Sequence, residues 1–170
     1  KGFKQANMQI KDNQSMVFDG IMATTPTWKD IEFIRKNTKL PLILKGITHP
    51  SYAKKAIEFG VDGIVVSNHG GSVLDTLVTT MDILQKIVEL VDNKIPIILD
   101  GGITRGTDIL KALALGASAV MIGKPIMYAL ATAGALGVAH SLKILKDELE
   151  IAMALTGCKT LKDINKDILF

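Results

Sequence analysis

The chain has 170 residues, 48% hydrophobic and 22% charged, with a formal net charge of +3. That balance suits one globular domain, and the scattered lysines offer no stripe for nucleic acid. A single cysteine, Cys158, excludes an internal disulfide and points to a reducing, cytoplasmic setting with Cys158 as a structural residue.

The start, Lys1-Gly2-Phe3-Lys4-Gln5, has neither the apolar core nor the cleavage site of a signal peptide, and with no initiator methionine the chain reads as an internal piece of something longer. Residues 1–26 read as a mobile linker loop, polar over 5–25 and without clear period. From Thr27 the pattern turns regular. Thr27-Trp28-Lys29-Asp30 has capping-box spacing and predicts a helix to about Lys36. Pro41–Lys45 predicts a strand, and Ser51–Phe59 a helix closed by Gly60. Gly63-Ile64-Val65-Val66 predicts a strand buried on both faces, which stops at Ser67-Asn68-His69-Gly70-Gly71. Thr79–Val91 is a helix, Pro96–Asp100 a strand, Thr107–Leu115 a helix and Ala119–Ile122 a strand. A long helical region follows from about Pro125 to Thr156, broken between Gly134 and Gly137, and Thr160 caps a last short helix. Pro125 to Leu142 carries no formal charge, but its Ala, Gly, His140 and Ser141 and its charged continuation favour a buried barrel helix over a membrane span.

Strand and helix alternate four times with short links, as in parallel βα units. Four such units make half of an eight-stranded (β/α)8 barrel, an α/β fold that the single direction of the repeats favours over an open doubly wound sheet, and a half barrel leaves two strand edges to be paired either by a missing N-terminal half or by another chain. The expected strand ends carry Lys45, His69, Asp100 and Gly123, on the face where barrels place their chemistry. His69 is the candidate base, because imidazole titrates near neutral pH. Asp100-Gly101-Gly102-Ile103-Thr104-Arg105 leaves a strand and enters a helix, and Gly123-Lys124-Pro125 does so again one unit later. Glycine amides, a helix N-terminus and a cation in two successive loops form a candidate phosphate site. No Cys/His/acid cluster has metal-ligand spacing.

Several segments resemble the FMN-dependent 2-hydroxy acid oxidases and dehydrogenases, the family of glycolate oxidase and lactate oxidase. They are Leu42-Ile43-Leu44-Lys45-Gly46, Ser67-Asn68-His69-Gly70-Gly71, Asp100-Gly101-Gly102, Arg105-Gly106-Thr107-Asp108 and Lys111-Ala112-Leu113-Ala114-Leu115-Gly116-Ala117. The resemblance runs from about Trp28 to Ile164 and covers the C-terminal half of the family's barrel, so that 27–170 is expected to be that half. It implies FMN as cofactor, a small 2-hydroxy acid as substrate and a homo-oligomer, commonly a tetramer. Lys45 would sit beside the flavin N1–O2 edge, where it would stabilise negative charge on the reduced ring. Ser67 would contact the flavin, and His69 would take the substrate proton. Asp100 would bind the ribityl chain; Gly101, Gly102, Ile103, Thr104, Gly123 and Lys124 would hold the cofactor and its phosphate.

Four positions depart from the family pattern. Where the family carries an arginine that clamps the substrate carboxylate, this chain has Ser72, followed by Val73. A bidentate, charged fork is thereby replaced by one hydroxyl, a loss on the order of 2–5 kcal/mol. Thr104 and Lys124 likewise stand at positions where the family has arginines. Two other readings compete: a non-catalytic flavin- or phosphate-binding half barrel, and a nucleotide dehydrogenase of the inosinate type. The latter needs a nucleophilic cysteine before the phosphate loops, whereas Cys158 lies after them.

Overall fold

Apolar runs of three to five residues, each followed by an amphipathic stretch, generate the fold. A computed structural model of the chain describes residues 15–169. It divides into two units at Lys39/Leu40.

In the first unit the Phe18 amide donates to Ser15 Oγ (3.2 Å) and starts a helical turn, Met16–Ile21, followed by the short turn Met22–Thr24. This segment was expected to be irregular; local Ser capping makes it helical, and residues 1–14 of the expected loop lie outside the described residues. Helix α1 (Trp28–Asn37) begins at the expected box, with the Asp30 carboxylate accepting from Thr27 N (2.6 Å) and Thr27 Oγ (2.7 Å).

The second unit holds a parallel sheet in the order β1 (Ile43–Ile47), β2 (Gly63–Val66), β3 (Ile97–Leu99) and β4 (Ala119–Val120). Each strand is followed by a helix: α2 (Pro50–Glu58), α3 (Thr80–Val91), α4 (Gly106–Ala114) and the helical region α5 (Lys124–Leu155). Every residue of β2 is buried, as its unbroken apolar run requires. Ile64, Val66 and Leu99 join Leu84, Ile87 and Val91 of α3 in a fully buried core. A second cluster packs Leu110 and Ala114 of α4 on Ala152 and Met153 of α5, closed by Cys158, which is buried as expected, and Ile164.

Two expectations need correction. Lys45 is not the end of its strand. Gly46, at φ +97, forms a bulge against β2, and β1 continues to Ile47. The stretch read as a buried barrel helix is exposed, with Tyr128 67% and Leu136 82% accessible. Its length and hydropathy suffice to cross a membrane, but the backbone leaves helical geometry at Ala133 and Gly134 (φ −145 and +57). The buried residues of α5, Leu145, Ala152 and Met153, all lie in its second half. Amphipathic pattern fixes which residues seek cover, and among the described residues none of the first half is fully covered.

Candidate functional site

The loops beyond the strands' C-terminal ends enclose a cavity of about 780 Å³, within the range of small-ligand sites. Lys45, His69, Ser72, Asp100, Gly101, Gly102, Ile103, Thr104, Gly123 and Lys124 all line it. Of the candidate residues only Ser67 does not; it is 1% exposed and stands behind the wall.

The floor is an ionic cluster. Lys45 Nζ lies 2.6 Å from Asp100 Oδ2 and donates to Ser67 Oγ at 2.8 Å. Parallel pairing of Lys45 with Val65, and of Val66 with Leu99, brings these three strand positions together. Ser67 Oγ also accepts from the His69 amide at 3.2 Å. The buried serine thus ties the lysine to the turn that carries the histidine. Asp100 is 15% exposed on its side chain, and its Oδ1 is buried with no hydrogen-bond partner. An orphaned carboxylate oxygen in a cavity wall fits a hydroxyl donor from a ligand.

His69 adopts φ +54, a strained value for a residue with a side chain, in the turn His69–Gly71. Three contacts hold it there. Asn68 Oδ1 accepts from Gly70 N (3.1 Å), Asn68 Nδ2 donates to Val78 O (3.4 Å) and Ser72 Oγ donates to His69 O (2.7 Å). The imidazole occupies space left by Gly46, where a Cβ would lie 3.2 Å from His69 Cε1.

The glycine turn after β3 has φ +85 at Gly101 and +78 at Gly102. Thr80 Oγ donates to Gly101 O (3.1 Å), and a Cβ on Gly101 would lie 2.8 Å from Asn68 Oδ1. The start of α4, by contrast, is already capped by carboxylates. Asp108 Oδ2 accepts from Thr104 N (3.0 Å), Thr104 Oγ (3.2 Å) and Arg105 N (2.9 Å). Glu148 Oε2 accepts from Gly106 N (2.8 Å), while its Oε1 accepts from Arg105 Nη1 (3.1 Å). The Gly106 amide, with the Arg105 guanidinium beside it, holds the Glu148 carboxyl below its ordinary value. This first helix start is therefore not an anion site. The amides of Gly102, Ile103 and Gly123 have no acceptor among the described residues and remain able to bind one. Lys124 begins α5, and its Nζ donates to Gly70 O at 2.9 Å.

Sequence reasoning missed Asn68, Thr80, Glu148 and Lys111. Asn68 had a signal, an Asx residue directly before a glycine-rich turn. Thr80, 2% exposed, reads along the chain as part of a helix cap. Glu148 meets Gly106 only through α4–α5 packing. Lys111 lines the cavity one turn beyond Asp108.

The residues fit FMN: an orphaned acid for a polyol, free amides with ammonium groups for a phosphate, and a lysine–histidine wall. Comparison with known proteins agrees. The family model described as "FMN-dependent dehydrogenase" matches residues 2–170. The peroxisomal (S)-2-hydroxyacid oxidase GLO3 of Arabidopsis thaliana is 53% identical over 141 residues, 83% of this chain and 39% of that protein. L-lactate oxidase of Roseobacter sp. (strain GAI101) is 46% identical over 160 residues, 94% of this chain and 43% of that protein. The structure of a mandelate oxidase variant with the monooxide FMN adduct superposes with a TM-score of 0.80 at 45% identity, covering 83% of this chain and 45% of that one. The chain thus spans about two-fifths of the curated relatives it matches, and the four parallel βα units are part of a (β/α)8 barrel fold. On this agreement of sequence, fold and site, the chain belongs to the FMN-dependent dehydrogenase family.

Proposed function

We propose that the protein binds FMN in this cavity and oxidises a small L-2-hydroxy acid to the 2-oxo acid. The observation that carries the reading is convergence: Lys45, His69, Asp100 and the turns at Gly102 and Gly123 all face one cavity. Asp100 Oδ1 would accept from the ribityl chain, and the Gly102, Ile103 and Gly123 amides with Lys124 would hold the phosphate. When bound, FMN supplies the two-electron acceptor. The His69 imidazole takes the substrate proton, held toward the cavity by the turn that Ser67 and Asn68 fix. Lys45 Nζ presents positive charge at the floor, its direction set by Asp100 and Ser67. We further propose a cytoplasmic homo-oligomer in which additional βα units complete the barrel.

Ser72 favours a second reading, a flavin binder without turnover. Its hydroxyl is committed to His69 O and cannot also donate to a substrate carboxylate. Anaerobic mixing of the flavin-loaded protein with L-lactate, glycolate or mandelate separates the two. Bleaching supports the oxidase; bound flavin that none of these acids bleaches supports the binder. Ser72→Arg should create or speed bleaching, and no effect in a protein that holds flavin would count against the carboxylate-clamp argument.

A further inference from the structure

We infer that Lys111 is a second cationic partner of the cofactor's phosphate, acting with Lys124; the inference rests on the FMN reading above. A phosphate monoester carries a charge of about −1.5 to −2 at pH 7, more than one ammonium offsets. Of the other cations around the cavity, Arg105 turns away to Glu148 (3.1 Å) and Lys45 is held at the floor by Asp100 (2.6 Å), while Lys124 gives one of its three donors to Gly70 O (2.9 Å) and keeps the others for an anion. Thr104 is uncharged, and both its amide and hydroxyl face Asp108. Lys111 lines the same cavity, is exposed, and its ammonium has no hydrogen-bond or ion-pair partner among the described residues. Its flexible stem and three donors let the ammonium move onto an anion held by the Gly102 and Ile103 amides. Asp108 is the carboxylate beside it, and the three hydrogen bonds that Asp108 accepts from Thr104 and Arg105 direct its Oδ2 into the loop.

The test compares FMN with riboflavin, which lacks the phosphate, by fluorescence titration at low and high salt. The proteins are wild type, Lys111→Met, Lys111→Gln and Lys111→Arg, with circular dichroism as a check on folding. Both uncharged variants should weaken FMN binding by about tenfold or more, leave riboflavin binding unchanged and flatten the salt dependence, while Lys111→Arg stays near wild type. Wild-type FMN affinity in the uncharged variants, or an equal loss for both flavins, would overturn the assignment. A wild-type protein that binds neither flavin would overturn the FMN reading itself, and this inference with it.

Discussion

Replacing Lys45 by methionine keeps the stem and removes the ammonium that lies 2.6 Å from Asp100 Oδ2 and 2.8 Å from Ser67 Oγ. Asp100, only 15% exposed and already short of a partner at Oδ1, would keep its charge with no counter-ion. Breaking a fully buried pair typically costs about 3–5 kcal/mol. Lys45 is 39% exposed, so solvent screens the pair and reduces the expected loss to about 1–3 kcal/mol. Asp100→Asn removes the charge that Lys45 leaves stranded, so Lys45→Met should cost less in that background. A double-mutant cycle by urea denaturation reads the difference, with an expected coupling of at least about 1 kcal/mol. Strictly additive effects, with coupling below about 0.5 kcal/mol, would refute the claim that this pair organises the cavity floor.

Gly106→Ala should destabilise by at least about 3 kcal/mol in the same assay, because its Cβ would enter the backbone of Glu148 and Leu149 and lie 2.6 Å from Glu148 Cβ. Gly102→Ala, with nothing within 4 Å of the new carbon, should cost only the positive-φ strain of about 1–2 kcal/mol. Gly46→Ala pushes on His69 Cε1 at 3.2 Å; flavin bleaching by substrate should slow more than flavin affinity falls, as stopped-flow and titration would show. The Glu148 carboxyl is depressed by the Gly106 amide and then Arg105, so its contribution is full above the unfolded-state value and lost as pH falls through the lower folded-state value. Urea midpoints across the acid range should therefore fall more steeply for wild type than for Glu148→Gln.

The elements were legible where one physical signal dominated. Gly63-Ile64-Val65-Val66 is an apolar run with no polar interruption, and β2 occupies those four residues. Thr27 and Asp30, Thr79 and Asp82, and Thr160 and Asp163 each mark a helix start through a local carboxylate or hydroxyl contact. β1 was placed two residues early, because a glycine inside a strand looks like its end when it is in fact a bulge. The convergence of Lys45, His69, Asp100 and Gly123 was readable because successive parallel strands send their C-terminal ends to one face. Pairings between loops were not. Composition could not show that Arg105 would face Glu148 rather than the cavity, or that Lys124 would cross to Gly70, since both depend on side-chain reach after packing.

The most direct measurement is a crystal structure of the protein grown with FMN. The account predicts flavin density in the cavity, with the phosphate against the Gly102, Ile103 and Gly123 amides and a ribityl hydroxyl on Asp100 Oδ1. Flavin bound elsewhere, or bound there with Asp100 Oδ1 still unpartnered, would contradict it.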